Sequence, residues 1–365
     1  MPVKVLVISN YRNYHSVRPE AEIIIGLARE GFEVHIMTFE DASYIPNFER
    51  AGITVIPFHP EKKFDRKESD VIREYVIQHD IDILQLFNSQ ATINGLRAAK
   101  GLPVKVVLYR GFTGNIHWYD PSAYTKYLHP RVDAIFCNSI GVENLIKSQQ
   151  LFQKGKAVTI NKGHDLSWYE GYEATDIRSE LGIPEDALLL VNVANNRRMK
   201  GIPYLLKAMA QLPRDGSIHL MLIGANMDTP ENLSIIEKGG LEKYVHLPGF
   251  RKDVLSIVKA SDVFVLPSIF GESITKSVLE AMSLGTAPII SDIPGNVELV
   301  VDGENGLVFP SKNINALKEA ILKVYHDRLL IAEMSRKSQE RIRTVLSSET
   351  AIQKAKAFYE GLMQE

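Results

Sequence analysis

Two glutamates eight residues apart, Glu272 and Glu280, lie in the stretch FGESITKSVLEAMSLG, Phe270 to Gly285, one of the most apolar parts of the chain. A carboxylate in such surroundings either has a buried partner or faces a ligand. Glu272 follows a glycine in the loop after the apolar run VFVLPS. Glu280 falls on a helix expected from about Thr275 to Leu284 and stopped by Gly285. Over an ideal helix, that spacing is about 80° of rotation and about 12 Å of rise. The two carboxylates can therefore reach different ends of one extended ligand. Between them, the amides near Ile274 to Ser277 are unpaired donors at a helix start, which favours an anion. The chemistry on offer is a diphosphate on those amides, a ribose diol on Glu280 and a sugar on Glu272. A capping glutamate followed by a buried, paired one is the plain structural alternative, and on spacing alone that alternative stands first.

Other loops shift the balance. VANNRRMKG, Val193 to Gly201, puts Asn195, Arg197, Arg198 and Lys200 between an apolar strand and a helix. Cations clustered at a helix start oppose its dipole, so a bound anion would account for them; a solvated basic loop is the rival reading. LIGAN with Gly224 and LPGF with Phe250 are further glycine loops after strands, suited to the close approach of a flat ligand. PGNVELVVDGENGLVF carries Glu298 among turn glycines.

The elements that must position these residues alternate along the chain. VKVLVIS, EVHIMTF, ITVIPF, IDILQLF, VKVVLYR and AIFCNS are apolar runs interleaved with amphipathic segments. PEAEIIIGLAREGF is expected as a helix starting at Pro19 and ending at Gly31. A second helix is expected over about Asp70 to Gln78. After a polar stretch the pattern restarts with ALLLVNVAN, HLMLIGA, VHLPGF, VFVLPS, APIISD and GLVFP. Runs that are apolar throughout indicate parallel sheets covered on both faces. The expected fold class is α/β, with two doubly wound parallel-sheet domains. The first spans 1–165 and the second 166–345. A terminal helix, 346–365, is expected to pack back on the first. In such sheets ligands bind beyond the carboxyl ends of the strands.

The motifs MKG, LIG, LPGF, ASDVFVLPS, GESITKSVLEAM, GTAPIISD and VELVVDGENGLVFP stand in order. Through them the chain, from about residue 188 to 310, resembles the family 4 glycosyltransferases, and Glu272 to Glu280 resembles their E-x7-E motif. The likeness continues more loosely through VLVIS, LAREGFEVHIMT and NKGHD. The resemblance implies the GT-B fold, two facing Rossmann-like domains with a cleft between them. It also implies a retaining transfer of a hexose-type sugar from a nucleotide diphosphate donor to a glycan or glycolipid, in cell-surface polysaccharide or lipopolysaccharide synthesis. Glu272 would then contact the donor sugar and Glu280 the ribose. Lys200 would grip the diphosphate with Arg197 or Arg198, and amides of Ser273, Ile274, Thr275 and Lys276 would cradle the distal phosphate. Gly224 would line the donor site, and Phe250 would pack on the base. No metal or other cofactor is implied.

Some positions depart from the family pattern. Asn195 stands where an arginine is usual. SNYRNYHSVRPE, with His15 and Arg18, replaces a Gly-Gly loop. Arg110 occupies the place of a common histidine, which His117 could also replace from its loop. The loops Asn10–Pro19 and Arg110–Tyr127, with His15, Arg18, His117 and Trp118, are the expected acceptor-binding parts. A non-catalytic nucleotide-sugar sensor or scaffold is the alternative. The first strand is not followed by G-x-G-x-x-G, which argues against a nicotinamide-dependent oxidoreductase.

Bulk properties agree. The 365 residues carry a net charge of −2, which gives no sign of nucleic-acid binding. One cysteine, Cys137, excludes an internal disulfide and a cysteine metal cluster. Asp80-Ile81-Asp82 spells a metal signature but enters a strand at the end opposite to any ligand. A cytoplasmic protein is expected. Peripheral contact at the inner face of the plasma membrane, through the first domain, stays open. The stripe Val71, Ile72, Tyr75 and Val76 is read as sheet packing.

Overall fold

The computed structural model describes residues 2–114, 116–150 and 156–364. It divides into two units: Met1–Gly163 with Ser347–Glu365, and His164–Leu346.

The first unit holds β1 (Lys4–Ile8), β2 (Glu33–Thr38), β3 (Thr54–Pro57), β4 (Ile83–Leu86), β5 (Lys105–Arg110), β6 (Ala134–Cys137) and β7 (Lys156–Thr159). They form one sheet in the order β3-β2-β1-β4-β5-β6-β7, with parallel pairings throughout. Successive residues of β1 serve opposite layers. Val5 and Val7 join one apolar cluster, and Leu6 and Ile8 join the other. That is why the run reads as continuously apolar: period-2 alternation sends every second side chain to a second core.

The second unit holds β8 (Leu188–Val193), β9 (Ile218–Ile223), β10 (Val245–Gly249), β11 (Val263–Leu266), β12 (Ala287–Ser291) and β13 (Leu307–Phe309). Their order is β10-β9-β8-β11-β12-β13, again parallel. Each sheet reverses its order at one point, β1 beside β4 and β8 beside β11. Loops leaving the carboxyl ends of those strands diverge and leave a crevice.

Two helices start earlier than their sequence signals imply. The first spans Tyr14–Arg29, with Pro19 inside it rather than at its start. Asn13 caps it by accepting from the Ser16 amide at 3.1 Å. A good cap and an apolar face outweigh the interior proline. His15 and Arg18 consequently sit in the first turns of a helix, not in a loop. The helix expected from Asp70 begins at Arg66, because Asp65 caps it through the Glu68 amide at 3.1 Å. Within it Ile72 and Val76 are buried, whereas Val71 is exposed.

The terminal helix, Ser348–Met363, belongs to the first unit and lies against Tyr14–Arg29. Gly26 makes that approach possible, since a Cβ there would lie 2.3 Å from Ile352 Cδ1. Asp82 is a structural residue at the amino end of the sheet, accepting the Lys4 amide at 2.8 Å. Cys137 is buried, and burial pushes its thiol up to about 12. Among the described residues no helix is long and apolar enough to cross a membrane.

Candidate active site

The neighbouring strands β8 and β11 send their carboxyl-end loops out side by side. The two loops are stitched together by the Ile269 amide donating to the Met199 carbonyl at 2.8 Å. Gly201 has a φ of +66°, and a Cβ there would stand 2.0 Å from the Pro267 carbonyl oxygen. Only glycine permits both the turn and the approach.

This stitching brings Lys200 to Glu272. The ammonium lies 2.6 Å from Glu272 Oε1, and both side chains are largely buried. Ser268 Oγ donates to the same oxygen at 2.7 Å, and Thr275 Oγ1 lies 3.3 Å from Oε2. Lys200 and Ser268 thus hold one carboxylate oxygen, as burial demands, with the Thr275 hydroxyl close to the other. Glu280 pairs with Lys276 one turn away on its own helix, Lys276–Leu284.

Thr275 stands at the N-cap of that helix but does not cap it. Its hydroxyl turns instead to Asn296 Oδ1, at 2.9 Å. The amides of Lys276 and Ser277 therefore meet no acceptor among the described residues. The Asn296 side-chain amide nitrogen beside them is also buried without a partner. Gly295 presses the Pro294–Val297 turn onto this loop, since a Cβ on it would lie 2.3 Å from the Ser273 carbonyl carbon. Ser273, Ile274 and Thr275 are buried beneath it. Arg197 and Arg198 are exposed, and neither guanidinium pairs with a carboxylate among the described residues. Open amides, an unused amide nitrogen and basic side chains on neighbouring loops make an anion cradle.

Asn195 has a fastening role, its Oδ1 accepting the Ala225 amide at 3.2 Å. Beside it Gly224 adopts φ +141°, and a Cβ there would meet the Ala194 carbonyl oxygen at 2.0 Å. Phe250, just beyond β10, is 76% exposed, a free aromatic face next to that loop.

The first unit's candidates are more scattered. Arg110, at the end of β5, is only 5% exposed. Its Nε donates to the Phe112 carbonyl at 2.9 Å, and its Nη2 donates to the Gly114 carbonyl. Its guanidinium also covers the Phe112 ring. Arg110 therefore holds its own loop. His117 is exposed and stacks on Tyr119 at 5.1 Å, beside the half-exposed Trp118. Asn115 of this loop lies outside the described residues. His15 is exposed and meets Tyr14 edge-on, and Arg18 lies over the same ring at 5.8 Å.

Sequence reasoning missed Ser268, Gly295 and Asn296. A polar residue closing the apolar run VFVLPS and a Gly-Asn turn after APIISD were the available signals.

Comparisons with known proteins come to bear here. The family model described as Glycosyltransferase Family 4 matches residues 21–168, and that of Glycosyl transferases group 1 matches residues 173–344. N-acetyl-alpha-D-glucosaminyl L-malate synthase of Bacillus anthracis is 21% identical, over 93% of this chain and 92% of its own length. N,N'-diacetylbacillosaminyl-diphospho-undecaprenol alpha-1,3-N-acetylgalactosaminyltransferase of Campylobacter jejuni is 25% identical, over 72% of each. Among solved structures, Anabaena Alr3699/HepE in complex with UDP superposes with a TM-score of 0.76. It shows 19% identity and covers 99% of this chain and 100% of that one.

Proposed function

Because the chain belongs to glycosyltransferase family 4 and has the GT-B fold, we propose that it moves a hexose-type sugar from a nucleoside diphosphate donor to a glycan or lipid-linked acceptor, with retention of configuration. The observation that carries this reading is the uncapped start of helix Lys276–Leu284, with two amides open beside Lys200.

In this reading the distal phosphate sits on the Lys276 and Ser277 amides. Lys200 shares its charge between Glu272 and the diphosphate, and Arg197 or Arg198 reaches the phosphates from the exposed side. Glu280 takes the ribose diol, Gly224 leaves room for the nucleoside, and Phe250 stacks on the base. Glu272, fixed by Ser268 and Lys200, contacts the sugar. The bond between the anomeric carbon and the bridging oxygen breaks, and the electron pair leaves with the diphosphate. Amides and cations fixed in advance meet that charge where it develops. The acceptor hydroxyl attacks from the face the diphosphate leaves. Its proton passes to a donor phosphate oxygen, so no enzymic nucleophile is required. The charge on the leaving group is met without a metal ion.

Acceptor contacts are assigned to the first unit, through His15, Arg18, His117 and Trp118. The name of the Campylobacter relative, with its diphospho-undecaprenol acceptor, supports a lipid-linked substrate. A role in cell-surface polysaccharide or lipopolysaccharide synthesis, in the cytoplasm at the inner face of the plasma membrane, belongs to the same proposal. The second reading, a nucleotide-sugar sensor, draws on Asn195 and Arg110, both engaged in holding their own loops.

One experiment separates the two. UDP should raise the melting temperature, and UDP-sugars should release UDP faster when acceptors are added. Glu280→Ala should weaken UDP binding. Glu272→Gln should keep UDP binding and lower kcat by about 10²–10³-fold. Tight donor binding without turnover over a broad acceptor panel would favour the sensor. Full activity in both variants would sink the site assignment.

A further inference from the structure

The first unit carries a hollow of about 550 Å³ beyond the carboxyl ends of β2 and β3. Its size is that of a small-molecule site. Arg12, Phe39, Phe58, His59, Glu40 and Glu61 shape it. None of them belongs to the donor site, and of them only Arg12 lies in a segment expected above to bind the acceptor.

The walls are built rather than incidental. Arg12 lies over the Phe39 ring at 3.7 Å and is anchored by Asp41 at 2.6 Å. The His59 ring stacks against Phe39 at 4.2 Å. Asn88 Nδ2 donates to His59 Nε2 at 2.7 Å, so the neutral ring carries its proton on Nδ1. His59 is only 9% exposed, and its Nδ1–H is buried within the wall near the Pro60 carbonyl. The carboxylates of Glu40 and Glu61 are exposed and unpaired among the described residues. Glu68 and Asp41 also line the hollow, against Arg12 and Lys62, so carboxylates outnumber cations there.

We propose that this hollow is a subsite for a neutral sugar unit of an extended acceptor. Free carboxylates accept hydrogen bonds from hydroxyl pairs, and the half-exposed Arg12 guanidinium, with its Nε held by Asp41, offers donors. Phe58 supplies an apolar wall for a sugar face, and Phe39 supplies its edge. The excess of carboxylates repels phosphate and uronate groups. The hollow lies about two strand spacings, ~10 Å, from the β1–β4 crevice. Its occupant is thus a sugar other than the one glycosylated, and the acceptor is an oligosaccharide. Arg12 belongs to the loop after β1, which ties the hollow to the segment assigned to the acceptor. The inference rests on the transferase reading but is tested apart from it.

The probes are neutral trisaccharides of glucose, galactose, mannose and N-acetylglucosamine, with the trimer of galacturonic acid as the anionic control. Saturation-transfer NMR on the full chain should show contact with at least one neutral trimer and none with the galacturonate. Glu40→Gln/Glu61→Gln, which alters exposed side chains without partners, should weaken that binding about tenfold. The melting-temperature rise with UDP should be the same in this variant as in the wild type. Absence of any neutral-trimer signal, unchanged binding by the double variant, or equal binding of galacturonate would each overturn the subsite. A chain that binds UDP but no sugar loses only this inference. A chain that binds the sugar but not UDP loses the donor reading and keeps the subsite.

Discussion

Lys200 and Glu272 illustrate what one buried ion pair asks of its surroundings. Their attraction is offset by desolvation, and truncating one partner leaves the other charge uncompensated. Glu272→Ala is therefore expected to cost about 3–5 kcal/mol of stability as well as activity. Glu272→Gln, which retains acceptor capacity for Ser268, should melt closer to wild type, and a pair of thermal denaturation curves decides this. Gly201 is the other demanding residue. Gly201→Ala combines a φ of +66° with a 2.0 Å overlap on the Pro267 carbonyl. A loss of about 1–3 kcal/mol from backbone strain, plus the steric overlap, is expected. Because Lys200 precedes this glycine, UDP affinity should fall too. A variant as stable and as tight-binding as wild type would show that the loop has another way to meet β11.

Helices do two kinds of work here. Lys276–Leu284 gives up its own side-chain cap, because the Thr275 hydroxyl is spent on Asn296. A helix start left open in this way favours an anion at the expense of its own stability. Tyr14–Arg29 is instead shaped for packing. Its Gly26 admits Ile352 of the terminal helix, and Lys356 pairs with Glu30 at 2.7 Å further along. Gly26→Ala should overpack this contact and cost about 1–3 kcal/mol. Combined with Ile352→Ala, the two effects should be less than additive, because the shorter side chain makes room for the new methyl. Limited proteolysis of the terminal helix provides the readout, and strict additivity would mean the two side chains do not meet.

For the whole molecule, pH acts through buried histidines. Burial lowers His59 and His246 to about 4, and lowers His219, which stacks on His246 at 5.3 Å. A proton then binds the unfolded chain more readily than the folded one. Stability from these groups is full above the ordinary histidine value of about 6.5 and is lost as pH falls toward about 4. Melting temperatures measured from pH 7.5 to 4.5 should decline across this window. His246→Gln should flatten part of the decline. Dialysis against EDTA should leave transfer unchanged, since amides and cations meet the phosphate charge in the proposed mechanism.

Much of this was legible in the chain before any coordinates. Apolar runs, glycine stops and cap residues are local signals. They marked the strands of both sheets except β7, the helix ending at Gly285 and the loops VANNRRMKG and FGESITK. Where local signals competed, they misled. Pro19 looks like a helix start, yet Asn13 caps the helix five residues before it could begin there. The place of Arg110 on β5 says nothing of where its guanidinium turns. Sheet order was out of reach as well. Nothing along the chain says that β8 lies beside β11. That adjacency alone brings Lys200 within 2.6 Å of Glu272 across a separation of 72 residues. It also underlies the Gly201–Pro267 contact. In the same way the third turn, with Gly295 and Asn296, reaches the helix start only after β12 has taken its place next to β11. The sequence by itself determined which residues form elements and which carry charge or bend the chain, because those properties rest on neighbours a few positions away. Which charges meet, which amides stay open and which arginine is used up in its own loop were decided only by the tertiary structure, because each depends on packing between strands far apart in the chain.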